Sequence, residues 1–373
     1  YILSKTTDVQ VINIYDKVFE DANVDCCMIL FTKGTPGDVQ LGEMREQEIE
    51  LFTPVDHDAL LAGTSAIMNI GQFKDAAKQA ILMTINAKAK PLSNYAKVST
   101  GIKAYQIGKG RPPQDKDVKD GRVYHSTSKI DDTYVPYLEG VDVKRYRLDW
   151  TKKLWISYGD HLAEPRRSID FEAPRILVRQ IPSKPPYSIS GAYTEDHYIN
   201  DINSMVVCDF EISAQAILAI LNARLTSYWF DLTFDKMQRG LFPQFKVKEL
   251  KSFPIPECIL DYEDQLTDLV NTFSVRGKVL AEELDDAVDF MAANFNVPRE
   301  LCMKAILDME WEKVKPKVAA ADREEAFKYV MKKGNYFSTF RDSIVTQTKA
   351  IDELVYEMFG LAEEEKEMIR LWP

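Results

Sequence analysis

The sequence predicts an α+β protein in which a mixed, strand-rich segment is followed by a helical C-terminal region. Three observations carry this. The 373 residues are 45% apolar and 28% charged, the composition of a globular chain. Upstream of Phe253–Pro256, short β-branched and aromatic runs such as Leu154 to Tyr158, Arg175 to Ile181 and Met205 to Cys208 are cut by Gly, Pro, Asp and Ser, which implies short strands and long loops. Downstream, apolar residues recur at helical spacing. Leu266, Leu269, Val270 and Phe273 form one set, Leu284, Val288 and Met291 a second, and Ile351, Leu354, Val355 and Met358 a third.

In chain order, Val9 to Tyr15 and Val24 to Phe31 read as strand, loop, strand, with Gly34, Pro36 and Gly37 as breakers. A hydrophilic bridge from Glu43 to Glu50 follows. Phe73, Ala76, Ala77, Ala80, Ile81 and Thr84 then predict an amphipathic helix ending near Lys90 and Pro91. Within the strand-rich segment, Ser213 is placed to cap a helix that shows Ile217, Leu218, Leu221 and Leu225 on one face. Two prolines in Phe253–Pro256 end the segment, and Gly360 is the expected stop of the last long helix. At roughly 150 residues per domain, two or three domains are expected. The boundaries drawn are 1–60, a linker helix over 61–97, a strand-rich domain over 98–256 and a helical region over 257–373. Because the strand pattern starts at once from Tyr1, a piece of a longer polypeptide is expected.

The formal charge of -11 is uneven. It is -5 over residues 1–95, +6 over 96–190, -2 over 191–256 and -10 over 257–373. One basic segment inside an acidic protein fits a face that meets a polyanion, and it also fits a solvated surface paired with the acidic tail. Five cysteines, an odd number without C-x-x-C spacing, make a disulfide framework unexpected and a reducing compartment, the cytoplasm, the expectation. His57, His125, His161 and His197 stand singly, so no metal is expected. Apolar runs such as Cys26 to Phe31 fall far short of the roughly 20 residues of a membrane span, so no membrane partner is expected.

Two patterns tempt a catalytic reading. Lys184-Pro185-Pro186-Tyr187 resembles the Asn/Asp/Ser-Pro-Pro-Tyr loop of amino-group methyltransferases, whose first residue accepts a hydrogen bond from the amino group being methylated. Lysine has donors only, so a proline-bounded loop is expected here. Asp235 with Glu249-Leu250-Lys251 matches the loose spacing of metal-dependent nucleases, a pattern so short that chance matches are common. Lys246, Lys248 and Lys251 are expected near phosphates or solvent. No nucleophile elbow, Walker loop or dinucleotide fingerprint is present, so catalytic, cofactor-binding and metal residues are all expected to be absent.

What remains is basic sequence interleaved with aromatics, from Tyr137 to Trp155 and from Arg166 to Gln180. Guanidinium forks can clamp phosphates or pair with guanine, and glutamine can pair with adenine. Lys144, Arg145, Arg147, Lys152, Lys153, Arg166 and Arg167 are the candidates for phosphate contact, and Arg175, Arg179 and Gln180 for base readout. Arg175 and Arg179, at i and i+4 of one strand, share a face. They converge on a ligand or form buried ion pairs, and the ligand is the reading taken. Trp150, Trp155, Tyr158 and Phe171 are expected in the core.

Six blocks in order resemble the TaqI-like C-terminal specificity domain of N6-adenine DNA methyltransferases and type IIG restriction-modification enzymes. They are Ser99 to Pro113, Val135 to Trp150, Leu154 to Arg167, Pro174 to Ile181, Ile217 to Phe230 and Phe242 to Pro256. Val18 to Lys33 also resembles the last strands of the methyltransferase domain in such enzymes, and Ile351 to Ile369 the helical ending that follows the specificity domain. The resemblance implies that 1–60 is a methyltransferase remnant and that 98–256 holds double-stranded DNA and reads its bases. It further implies that an upstream domain of a parent adenine-N6 methyltransferase, fused in some members to an endonuclease, binds S-adenosylmethionine and does the chemistry. The fragment alone is then not catalytic. A protein-interaction module of a restriction-modification complex is the rival reading, and a metal-dependent nuclease the third.

Overall fold

The computed structural model describes residues 4–21, 26–52, 54–55, 75–150, 153–234 and 244–373. Its architecture is α+β, strand-rich first and helical last. Strands β1 (Thr6–Ile14), β2 (Cys26–Lys33), β3 (Val39–Arg45) and β4 (Glu48–Leu51) form a sheet in the order β2-β1-β3-β4. The hydrophilic bridge expected from Glu43 to Glu50 is thus part of two strands. Val39 and Leu41 alternate inward onto Val9, Val11 and Phe52, and the buried Glu43 carboxylate takes Arg45 as partner, which lets a charged strand sit in the sheet.

Helix α1 (Ala76–Ala87) begins at Asp75, whose carboxylate accepts from the N–H groups of Ala77 and Lys78. It leads into β5 (Ala89–Pro91) and β6 (Lys97–Thr100). There follow α2 (Lys116–Gly121), β7 (His125–Ser126), β8 (Tyr134–Leu138), β9 (Val143–Lys144), β10 (Arg147–Leu148) and β11 (Trp155–Ser157). Next come β12 (Arg175–Arg179), β13 (Gly191–Thr194), β14 (Ile199–Asn200) and β15 (Ser204–Cys208).

Two four-stranded sheets result, ordered β13-β12-β15-β6 and β14-β8-β11-β7. The first is buried on both faces, and its alternation shows how. Ile176, Val178, Met205 and Val207 join one core with the helices, whereas Leu177, Ala192 and Val206 join a second core with Leu138, Ile156 and Ile199 of the other sheet. Phe171 lies in that second core and Trp150 and Tyr158 pack against it, as expected for these aromatics.

Ser213 does cap a helix: its hydroxyl accepts from Ala216 N–H at the start of α3 (Ala214–Asn222). After α4 (Arg224–Thr233) and α5 (Val247–Lys251), strand β16 (Pro254–Pro256) pairs antiparallel with β5. The C-terminal region consists of α6 (Ile259–Phe295), α7 (Arg299–Asp308), α8 (Trp311–Val314), α9 (Arg323–Met358) and α10 (Glu363–Leu371). The near ends of α6 and α9 contribute Leu266, Val270, Phe273, Ile351 and Val355 to the main core, and their far ends contribute Met291 and Val330 to a separate one with α7. Gly360 follows the end of α9 at a φ of 56°, where the carbonyl of Phe359 accepts from Lys88 Nζ at 2.8 Å. No described helix is long and apolar enough to cross a membrane.

Candidate nucleic-acid interface

The basic stretch around Lys144 folds into a hairpin whose two ends have opposite surroundings. Val143 pairs with Leu148 and Lys144 with Arg147, so Arg145 and Tyr146 make the turn. Neither is a usual turn residue, and Tyr146 adopts a φ of 63°. Tertiary contacts explain the choice. The turn points into the protein, where Tyr146 is 5% exposed and packs on Phe273 of α6 with ring centres 4.5 Å apart. Arg145 Nε donates to the Asn222 carbonyl at 3.0 Å, and its guanidinium lies 4.0 Å from the centre of the Tyr187 ring. Tyr187 in turn donates to Asp352 of α9 at 2.7 Å, and Arg224 N–H donates to the same carboxylate at 2.8 Å. Asp352 is 4% exposed, and burial raises its pKa. Arg145 therefore joins sheet to helix and is not placed to clamp a phosphate.

Arg175 requires the larger correction. It is fully buried, and its guanidinium donates to the carbonyls of Ala173, Asp196 and Tyr198 at 3.0, 2.7 and 2.9 Å. Burial lowers its pKa to about 10, so it stays charged near neutrality. Its partners are main-chain carbonyls, not a carboxylate, so neither a ligand nor a buried ion pair describes it. Sequence pattern placed it correctly on a strand but could not show that the 195–198 segment folds back over that end.

Gln180 is also buried, at 6% exposed, which takes it out of direct base contact; the remaining described candidates lie nearer to solvent. Arg147 pairs with Asp149 at 2.6 Å and Arg167 with Asp160 at 2.6 Å, in exposed pairs that a phosphate can replace. Arg166, at a φ of 56°, pairs with Glu164 at 2.7 Å and donates to the Gly101 carbonyl at 3.2 Å. Lys144, Lys153 and Arg179 make no ion pair among the described residues, and Lys152 lies outside those residues.

Arg179 ends β12 on the same face as Arg175, about 13 Å away at 3.3 Å per residue. Beside it the main chain is cross-linked. Gln180 N–H donates to the Asn203 carbonyl at 2.9 Å, and Phe245 N–H donates to the Gln180 carbonyl at 3.2 Å. Lys246 Nζ meets the side-chain oxygens of Gln244 at 2.7 Å and Gln180 at 3.5 Å. Asn203 Nδ2 donates to Asp201 at 2.6 Å. This edge therefore gathers Arg179, Gln180, Asn203, Gln244 and Lys246. Asn203 and Gln244 carried no signal in the sequence beyond being polar residues in loops.

The two catalytic look-alikes are occupied with structure. In the Lys184–Tyr187 loop, Tyr187 is held by Asp352 and covered by Arg145, and Lys184 offers no acceptor. Glu249 accepts from Lys246 N–H at 2.6 Å at the start of α5, and Asp235 lies outside the described residues. Among the described residues no three or more His, Cys, Asp or Glu side chains gather to hold a metal.

One comparison bears on this geometry. Residues 135–255 match the family model of the TaqI-like C-terminal specificity domain. The match contains the inward hairpin, Arg166 to Gln180 and the Asn203–Lys246 edge; the strand-rich segment from 98 to 134 precedes it. Among solved structures, a Type IIL restriction-modification enzyme, MmeI, in complex with DNA is similar at a TM-score of 0.36 and 11% sequence identity, over 96% of this chain. The chain spans about half the length of that enzyme, 46%. No curated protein matches.

Proposed function

We propose that residues 98–256 recognise a specific sequence in double-stranded DNA for a restriction-modification enzyme. The observation that carries this is the match of 135–255 to the TaqI-like C-terminal specificity domain. Lys144, Lys153 and Arg179, which make no ion pair among the described residues, support it, and so does the amide-rich edge beside Arg179. In this reading Lys144, Arg147, Lys153, Arg166 and Arg167 hold phosphates, while Arg179 faces base edges with Gln180 buried behind it.

The finer reading is that the parent is an adenine-N6 methyltransferase of type IIG, acting in the cytoplasm, and that this module positions the target adenine for a domain that binds S-adenosylmethionine. The Lys184–Tyr187 loop does not supply that domain's contact to the target base, because Lys184 cannot accept from an amino group and Tyr187 is held by Asp352 and covered by Arg145. No step is routed through them.

The rival protein-interaction reading has one feature in its favour, an open groove of about 420 Å³ between α6 and α9, lined by Asp268, Leu269, Glu353 and Leu354. Binding of the 373-residue chain to a randomised duplex library at two salt concentrations separates the readings. The expected result is enrichment of one short motif, with total binding falling as salt rises. Salt-insensitive retention, or none, would favour the interaction reading.

A further inference from the structure

Lys246 sits where three chain segments meet: the end of β12, the turn at 201–204 and the entry to α5. Main-chain hydrogen bonds fix these segments to one another through Gln180, Asn203 and Phe245, and Phe245 is fully buried. Lys246 is exposed, and its ammonium contacts the carboxamide oxygens of both Gln180 and Gln244. An ammonium donates and never accepts. It therefore selects the oxygen end of each amide, and the NH₂ end of each must turn elsewhere.

We infer that Lys246, anchored against the buried Gln180 carboxamide, is a positioning residue for base readout, fixing the more accessible Gln244 in the orientation that pairs with an adenine edge. The chemistry is specific. A glutamine reads adenine by accepting from N6 and donating to N7 at once, which requires its oxygen and nitrogen in a defined order. The Gln244 oxygen has two lone pairs, so one can accept from Lys246 while the second remains for the base. Unheld, a glutamine amide rotates, and half of its orientations present the wrong end. Asp201 treats Asn203 in the opposite sense, holding its nitrogen at 2.6 Å and leaving its oxygen to accept. Neighbouring amides on one edge are thereby ordered by a cation on one side and an anion on the other. Such ordering before binding removes a cost that a floppy reader would meet on association.

This assignment rests on the DNA-recognition reading, and the test separates the two. Selection from a randomised duplex library is run with the wild type, Lys246→Met and Lys246→Arg, each checked for an unchanged thermal melt. The expected result for Lys246→Met is relaxed preference at one A·T position, by about fivefold to a hundredfold, with other positions of the motif unchanged. Lys246→Arg, which keeps the donor, should restore the preference. A lysine that merely met a phosphate would instead lower binding to every sequence alike and reduce the salt slope by about 1. That uniform loss, or an unaltered motif in Lys246→Met, overturns the assignment while recognition stands. A wild type that enriches no motif overturns recognition and this assignment together.

Discussion

The two ends of β12 carry the same side chain to different fates. Arg175 and Arg179 share a face, yet one is sealed under three carbonyls and the other stands at an open edge beside four more polar residues. The hairpin at 143–148 repeats the contrast over two residues, since Arg145 turns in toward Asn222 and Tyr187 while Arg147 turns out to Asp149. Positive charge along a chain thus marks two different things. A guanidinium has five donors and a flat face, so it closes gaps between irregular segments as readily as it binds phosphate. What separates the uses is whether main-chain carbonyls converge on it.

The sharpest way to break this contrast is to remove both guanidinium groups in turn. Arg175→Met keeps much of the volume but leaves the Ala173, Asp196 and Tyr198 carbonyls without their donor, and should cost about 3–5 kcal/mol in a urea titration. Arg179→Met should stay within about 0.5 kcal/mol of wild type. Equal losses at the two positions would end the distinction between a structural and a functional end of β12.

How far the sequence reveals these differences depends on where the deciding partner lies. Periodicity found β1, β2, α1, the Ser213 cap and the stop at Gly360, because each depends on neighbours within a few residues. It missed β3 and β4, since a run with Glu43, Glu46, Glu48 and Glu50 looks solvated until β1 supplies a parallel partner to Val39 and Leu41. For the candidate site, the basic aromatic stretch was visible but its facing was not. Arg145 is turned inward by Asn222 and Tyr187, 77 and 42 residues away in sequence, and no local pattern encodes that. Gln244 and Asn203 reach the edge through the same kind of distant contact.

A second pair of groups sharpens the comparison between the closed and open parts of the strand-rich body. Burial lowers the pKa of His125 to about 4 and raises that of Asp201 to about 6. The neutral form is favoured in both cases, but the signs against pH are opposite. His125 binds fewer protons folded than unfolded between about pH 4 and 6.5, so its share of stability is lost as pH falls through that window. Asp201 binds more protons folded, so its share is lost as pH rises from about 4 to 6. Each amounts to something on the order of 3 kcal/mol, and in wild type they offset. Relative to wild type, His125→Gln should therefore become less stable as pH rises from 4 to 6, and Asp201→Asn more stable. Parallel stability curves for wild type and either variant would show that the group is not buried as described.

On the DNA side the expected effects are smaller and differ in kind. Arg179→Ala should change which sequence is preferred, costing roughly 1–3 kcal/mol on the cognate duplex and little on scrambled DNA. Equal losses on both would remove Arg179 from base readout.

The smallest effect is assigned to Lys153, and it is the one that tests whether a lysine at this loop belongs to an interface at all. Its φ of 47° is unusual for a residue with a side chain, and it makes no ion pair among the described residues. An ammonium so placed contributes through released counterions, which are blind to sequence. Lys153→Ala should weaken cognate and scrambled duplexes by the same factor and lower the slope of log affinity against log salt by about 1, with no change in the selected motif. An unchanged slope would place Lys153 on a face that DNA does not touch, and would leave phosphate contact to Lys144, Arg147, Arg166 and Arg167. A changed motif would instead move the reading surface from the Arg179 edge toward the loop before β11.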